Sequence, residues 1–197
     1  AASDVYKRQI LDGGHTFGEG KQKETFLPSA ASKAPPAPLL IRYPLPRDWM
    51  FVIAIPNVEK GAHGLKEIEI FQKYCPIPIA EVRELSHIIL MKILPAIVER
   101  DIVSFGEGLY MIQRIGFKKI EVNLQSPIIK ELIEFMIKEG AYGSGMSSFG
   151  PTVYGIVEGY DHALELKEKV ENFLGRVGGQ VFVSRVCNEG ADVRFIL

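Results

Sequence analysis

Residues 143–154 read GSGMSSFGPTVY, and this stretch decides the fold. A helical pattern ends just before it, and a short apolar strand pattern runs out of its far end. Its three glycines and three serines leave the backbone exposed and able to adopt positive φ angles. Such a loop presents backbone N–H groups and short hydroxyls to one point, which suits a phosphate or a carboxylate. A glycine-rich turn without a ligand is the alternative that these residues leave open.

Two helices are predicted around this loop. The first begins at the Ser126-Pro127 pair, because serine can cap a helix and proline suits its first turn, and Gly140 ends it. The second follows the loop, and Asp161 is predicted to cap it. Each has apolar residues three or four positions apart, which predicts one buried face per helix. These inward residues are Ile129, Ile133 and Met136 in the first helix, and Ala163, Leu166, Val170 and Phe173 in the second.

Short apolar runs bounded by proline or glycine predict strands at 39–43, 50–55, 152–157 and 180–186. Three helices are predicted between the second and third strands. One ends before Cys75-Pro76, and the last spans 102–115. The middle helix, from Val82, is apolar almost all round, so it is predicted to be central and buried, with a kink at Pro95. The order of elements predicts an α+β sandwich with helices on one face of an antiparallel sheet.

The composition limits the classes of function. The chain has 197 residues, of which 47% are hydrophobic, and a formal net charge of −1, so a nucleic-acid partner is not expected. A membrane partner is not expected either, because no apolar run reaches the roughly 18 residues of a membrane span. The two cysteines form no CxxC motif, and we find no secretory signal, which predicts a cytoplasmic protein. The four histidines lack metal-ligand spacing, and no side chain is assigned as a metal ligand.

The loop resembles the third, C-terminal motif of the GHMP superfamily of small-molecule kinases, a serine-rich turn beside the substrate and nucleotide phosphates. The matching residues are Ser147, Ser148, Gly150, Pro151, Thr152 and Val153. Further segments are LDGGHTFGEGK at 11–21, FLPSAASK at 26–33, IFQKYCPIP at 70–78 and GFKK at 116–119. Together with the loop, they are similar to the archaeal β-ribofuranosylaminobenzene 5′-phosphate synthases of methanopterin biosynthesis, a family of GHMP relatives.

The resemblance implies an α+β fold: a ferredoxin-like GHMP C-terminal domain, an α/β sandwich, preceded by the last strands of the N-terminal GHMP domain. Residues 1–9 are predicted to be a non-native junction, residues 10–56 the tail of the N-terminal domain with a basic loop, and residues 57–197 the C-terminal domain. The chain is therefore expected to be a C-terminal fragment that is inactive alone, because half of an interdomain site would be missing.

The implied reaction joins phosphoribosyl pyrophosphate to 4-aminobenzoate and releases pyrophosphate and carbon dioxide. Mg²⁺ is the implied cofactor, with ligands not identified, and a homodimer is possible in this family. His15 and Ser148 are the predicted catalytic residues. The predicted substrate- and phosphate-binding residues lie in two segments: Gly13, Gly14, Lys21, Lys23, Ser29, Ser32 and Lys33 in the first, and Gly145, Ser147, Gly150 and Thr152 in the second.

Several of these residues also have a purely structural explanation. The lysines also fit a solvated loop, and His15 also fits a loop histidine bonded to a backbone carbonyl. His87 lies among apolar residues and is predicted to be a core histidine, whereas Glu67 is predicted to lie on a solvated helix face. Two other functions stay open: an ATP-dependent GHMP kinase acting on a small alcohol, and a non-catalytic α+β ligand-binding module.

Overall fold

A computed structural model describes residues 41–189. Its four strands are β1 (Trp49–Pro56), β2 (Gly143–Met146), β3 (Val153–Glu158) and β4 (Gly179–Arg185). Its α-helices are α1 (Leu65–Tyr74), α2 (Ile79–Ile88), α3 (Leu94–Glu99), α4 (Ile102–Ile112), α5 (Gly116–Asn123), α6 (Pro127–Lys138) and α7 (Tyr160–Leu174). A π-helical turn, Ile89–Ile93, joins α2 to α3. No helix within residues 41–189 is both long enough and apolar enough to cross a bilayer.

The four strands form one antiparallel sheet in the order β2-β3-β1-β4. Helix α6 precedes β2 and α7 connects β3 to β4, so the central pattern is the βαββαβ arrangement of ferredoxin-like domains. The predicted α+β class is confirmed. Strand β1 lies between β3 and β4, so it belongs to the same sheet as the elements assigned to 57–197. Residues 147–152 connect the neighbouring strands β2 and β3 and are called the serine-rich loop below. Residues 143–146 form β2 and are not part of this loop.

One face of the sheet carries the larger core. Met50, Val52 and Ala54 alternate along β1 and point to this face, where α6 and α7 cover them. The predicted inner stripes of the two helices are buried here, with Phe173 half-buried at the edge. Burial of a whole apolar side chain of this size contributes about 1.5–3 kcal/mol, so the two stripes fix both helices against the sheet.

Helices also cover part of the opposite face, which differs from the prediction of helices on one face only. Trp49 and Ile156 point to this side and pack with Phe105 of α4, whose ring centroid lies 4.8 Å from that of Trp49. Gly106 of α4 lies directly against the backbone of β2, because a Cβ there would be 2.2 Å from the Tyr142 carbonyl oxygen. Helix α4 therefore sets the position of the strand that leads into the serine-rich loop.

Several local predictions are wrong. The helix around Val82 is not buried all round, since Leu90, Met91 and Val98 are exposed, and His87 on α2 is exposed rather than in the core. The chain stays helical through Pro95 and a π-helical turn directly precedes it, so the kink at this proline stays a prediction. The buried face of this stretch carries Ile88, Ile93 and Ala96, and periodicity did not distinguish one buried face from full burial.

The predicted helix caps also differ. Ser126 is the residue before α6, but its side chain makes no capping hydrogen bond. Helix α7 begins after Gly159, which has a φ of 81°, so Asp161 lies within the first turn instead of capping it. An acidic side chain in that position still interacts favourably with the helix dipole.

Candidate functional site

The serine-rich loop is a tight turn at the end of the β2–β3 hairpin. The Ser147 N–H donates to the Thr152 carbonyl at 2.9 Å, and the Gly150 N–H donates to the Ser147 carbonyl at 2.9 Å. Ser148 has a φ of 51° and Gly150 a φ of 76°. A left-handed conformation at Gly150 is unstrained only for glycine, and it is uncommon for serine, so the surrounding contacts must hold Ser148 in place.

Three buried or half-buried polar side chains of the helical layer bond to the backbone of this loop or of the residue before it. Lys118 Nζ donates to the Ser148 carbonyl at 2.6 Å, and Gln125 Nε2 donates to the Phe149 carbonyl. Gln113 accepts a hydrogen bond from the Met146 N–H at 2.9 Å, just before the turn. The three side chains come from α4, α5 and the segments that follow these helices, so the helical layer determines how the loop backbone is oriented.

Three aromatic rings anchor the loop. Phe117 stacks on Phe71 with 4.4 Å between ring centroids, and Phe149 meets both rings edge-on at 6.0 and 6.2 Å. All three are buried. Edge-to-face and stacked pairs stabilise beyond their buried area by about 0.5–1.5 kcal/mol each, so Phe149 ties the turn firmly to α1 and α5.

An open cavity of about 1140 Å³ lies against the outer side of this turn. Its walls are the serine-rich loop, the end of β1, the segment 57–63 and the start of β4. Of the predicted binding residues, Ser148, Gly150 and Thr152 line it. Ser147 is exposed and does not line it, and Gly145 lies buried in β2, where a Cβ would be 2.5 Å from the Gln113 amide carbon. The cavity is large enough for a sugar phosphate with its pyrophosphate.

The segment after β1 and the start of α1 also line the cavity, with residues that the sequence did not single out as site residues. Lys60, His63 and Glu67 line the cavity there. His63 donates from Nδ1 to the Gly61 carbonyl at 3.1 Å, because a carbonyl can only accept, and this leaves Nε2 for a ligand. Burial raises the pKa of Glu67, and His63 partly opposes this increase. In the sequence, a lysine and a histidine three positions apart follow a predicted strand and flank Gly61. This pattern could have indicated that Lys60 and His63 belong to the site.

The remaining predicted site residues fall outside the described part of the chain, and their roles stay predictions. They are Gly13, Gly14, His15, Lys21, Lys23, Ser29, Ser32 and Lys33. Within residues 41–189 no group of three or more His, Cys, Asp or Glu side chains is arranged to hold a metal ion. Glu67 is the carboxylate on the cavity wall.

Glu121 and Lys118 form a buried pair behind the serine-rich loop. The Glu121 side chain is 0% exposed, and Lys118 Nζ lies 3.1 Å from its Oε2. Burial raises the pKa of Glu121 to about 9, and burial lowers the pKa of Lys118 to about 7. Desolvation therefore disfavours the charged form of both side chains.

The buried carboxyl predicts a pH dependence of stability. As pH rises from about 5 to 7, the folded chain keeps the Glu121 proton that the unfolded chain releases, so the free energy of unfolding falls. The limit is about 1.4 kcal/mol per pH unit for one proton. Above about pH 7, Lys118 loses its proton in the folded chain first, which opposes the fall. Urea unfolding should show this fall in the wild type but a weaker one in Glu121→Gln; parallel curves would contradict the assignment.

Comparisons with known proteins find one family match and several curated relatives. Residues 93–176 match the family described as GHMP kinases C terminal. The chain is 46% identical over 187 residues to the β-ribofuranosylphenol 5′-phosphate synthase of Methanothermobacter thermautotrophicus, a match covering 92% of this chain and 53% of that protein. It is 42% identical over 189 residues to the protein of the same name from Methanocaldococcus jannaschii, covering 93% and 54%. The chain thus spans about half the length of these curated relatives.

A solved structure supports the fold independently. The homoserine kinase of Cytophaga hutchinsonii superposes with a TM-score of 0.56 at 16% identity, over 74% of this chain and 44% of that one. Identity this low is evidence for the fold alone. The predicted resemblance to the synthases and to the GHMP superfamily is confirmed. Residues 93–176 therefore match the C-terminal domain of GHMP kinases, and the chain is similar, over 92% of its length, to a β-ribofuranosylphenol 5′-phosphate synthase.

Proposed function

We propose that the chain forms the C-terminal part of a decarboxylating phosphoribosyltransferase, and that the cavity beside the serine-rich loop holds the pyrophosphate of phosphoribosyl pyrophosphate. One observation supports this most: the walls of the cavity combine a glycine- and hydroxyl-bearing turn with Lys60 and His63. This combination suits an anion with several oxygens. The names of the curated relatives support the ribosyl phosphate product.

The reaction needs no acid or base from the protein for its balance. The anomeric C–O bond of the ribose breaks, and pyrophosphate leaves with the electron pair. The ring carbon that bears the carboxylate forms a C–C bond to the anomeric carbon. The bond to the carboxylate then breaks, its electrons restore the aromatic ring, and carbon dioxide leaves. Catalysis therefore rests on positioning and on stabilising the departing negative charge.

The cavity residues have separate roles in this proposal. The hydroxyls of Ser148 and Thr152 donate to phosphate oxygens, and Gly150 lets the backbone approach closely. From the other wall, Lys60 supplies positive charge to the leaving group, and the His63 ring lies on the same wall. His15, Lys21, Lys23 and Lys33 keep the catalytic and binding roles predicted from the sequence as part of this proposal.

The cofactor and location are proposals too. Mg²⁺ is often held largely by substrate phosphates and one or two carboxylates, and Glu67 is the carboxylate available on this wall. The described residues do not form a full set of magnesium ligands, and no step above depends on the ion. Cys75 and Cys187 are both free thiols, which is consistent with the proposed cytoplasmic location.

The aromatic substrate can carry either an amino or a hydroxyl group on its ring. The sequence resemblance implied 4-aminobenzoate, whereas the name of the relatives contains a phenol, which corresponds to a hydroxyl on the product ring. Both substituents donate electrons to the position para to them, where the new C–C bond forms. We propose a para-substituted benzoate as the acceptor and expect the hydroxyl and amino forms to differ in rate.

A chimeric enzyme tests this proposal. This chain replaces the matching 187 residues of the Methanothermobacter thermautotrophicus relative. The purified chimera is incubated with Mg²⁺, phosphoribosyl pyrophosphate and carboxyl-labelled 4-hydroxybenzoate or 4-aminobenzoate. We expect labelled carbon dioxide only when both substrates are present, and about 10-fold less with Ser148→Ala at an unchanged melting temperature. The chain alone is expected to be inactive.

Two outcomes contradict the proposal. Release of carbon dioxide from the chain alone would show that no other part of the protein is needed. A folded chimera that releases none, but hydrolyses ATP when small alcohols are added, would favour the kinase alternative. Loss of both activity and folding in Ser148→Ala would assign that residue a structural role instead.

A further inference from the structure

We propose that Lys118 is a positioning residue for the anion site: it fixes the serine-rich loop in its ligand-facing conformation by holding the Ser148 carbonyl, with Glu121 keeping it in place. This inference rests on the proposed function for its ligand, but the conformation of the loop can be measured without one. Lys118 does not line the cavity, so it is assigned no direct contact with the substrate.

Lys118 is placed between the serine-rich loop and Glu121. It lies in the first turn of α5, and its Nζ is 2.6 Å from the Ser148 carbonyl oxygen and 3.1 Å from Glu121 Oε2. The carboxylate is one turn further along the same helix and is fully buried. The Glu81 carboxylate accepts from the Gly116 N–H at 2.7 Å, which fixes the start of α5 on which Lys118 is carried.

The hydrogen bond from Lys118 also orients the loop backbone. The carbonyl and N–H of a trans peptide point in opposite directions. When Lys118 draws the Ser148 carbonyl inward, the N–H of the same peptide is turned away from α5. Gln125 draws the next carbonyl, that of Phe149, inward in the same way. Two successive peptides are therefore oriented from inside the fold, while Ser148 keeps a φ of 51° that serine rarely adopts.

Burial of the Lys118 and Glu121 side chains costs free energy of folding. A lysine and a glutamate that are both withdrawn from water are costly to bury, and apolar side chains of similar size often pack at least as stably. Phe117 and Phe149, which are next in sequence to Lys118 and Ser148, belong to a buried apolar cluster with Phe71, so this region also suits apolar side chains. A pure packing role would not require a charged donor aimed at one loop carbonyl. A positioning role does.

The test uses the ¹⁵N-labelled chain and inorganic pyrophosphate as the probe. Lys118→Met is compared with Lys119→Met, because Lys119 is adjacent, exposed and paired with Glu81 instead of the loop. In Lys118→Met we expect the amide signals of Ser148, Phe149, Gly150 and Thr152 to shift without ligand, and pyrophosphate affinity to fall at least 10-fold. Lys119→Met should leave both unchanged within about twofold. Lys118→Arg should restore part of the affinity, because it keeps a charged donor.

The double variant Lys118→Met/Glu121→Gln covers the case in which the single variant does not fold, because it leaves no lone buried charge. A folded Lys118 variant with unshifted loop signals and wild-type affinity would overturn the inference. If the wild-type chain does not bind pyrophosphate, the proposed function fails, and the loop signals of the variants still decide whether Lys118 orients the turn. Equal shifts in the Lys118 and Lys119 variants would also overturn it.

Discussion

Gly106→Ala is expected to destabilise the fold by more than about 3 kcal/mol, at the upper end of overpacking effects. The added Cβ would lie 2.2 Å from the Tyr142 carbonyl oxygen and 2.3 Å from its carbon. Both are backbone atoms at the entrance to β2, so no side chain can move to make room. Helix α4 would have to separate from the sheet. Chemical unfolding followed by circular dichroism measures the loss.

Gly175→Ala is the matched control for this substitution. Gly175 has an ordinary helical φ of −52°, and its added Cβ would be 3.2 Å from the Asn172 carbonyl oxygen. We expect a change within about 1 kcal/mol. If Gly106→Ala were as stable as the control, the close packing of α4 on β2 would be wrong, and with it the support for the loop.

Gly61→Ala is expected to weaken pyrophosphate binding strongly while the chain stays folded. Its Cβ would lie 1.9 Å from the Phe149 carbonyl oxygen and 2.7 Å from Gln125 Nε2. Gly61 lies in the irregular segment after β1, which can move outward more easily than a sheet strand can. Relief of the clash therefore separates the two walls of the cavity. Titration calorimetry should show a loss of affinity of at least 10-fold.

The control for this experiment is again Gly175→Ala, because Gly175 does not line the cavity. Its affinity for pyrophosphate should match that of the wild type. Unchanged binding by Gly61→Ala would mean that the segment around Lys60 and His63 does not form the second wall. Unfolding of Gly61→Ala would instead assign the contact with Phe149 to the core.

Local patterns were sufficient to predict much of the fold. The stripes of α6 and α7 are buried as their spacing predicts, because Ile129 and Ala163 repeat with the helical period against a flat sheet. The strand predicted at 50–55 is the centre of β1. The turn at 147–152 follows from glycine and serine chemistry. The caps at Ser126 and Asp161 failed because a cap depends on side-chain orientation, which composition does not determine.

The cavity could be predicted only in part. Ser148, Gly150 and Thr152 were found because they lie in one conspicuous loop. Lys60 and His63 were missed because their role depends on a contact with Phe149, nearly ninety positions away in the sequence. Lys118 appeared in the sequence only as part of the GFKK motif, because the sequence does not distinguish an exposed lysine on a helix from a buried one. The roles of Lys60, His63 and Lys118 all depend on contacts with residues that are distant in sequence.

The most direct test of the anion site is a titration of the ¹⁵N-labelled wild-type chain with inorganic pyrophosphate. We expect saturable shifts in the amide signals of Ser148, Gly150, Thr152, Lys60 and His63, which line the cavity. Signals from the first turn of α7 should not move, because this turn follows Gly159, which bonds to Asp48 at the other end of β1 from the cavity. Absence of saturable shifts at the loop, or binding confined to another surface, would contradict the assignment of this cavity as the pyrophosphate site.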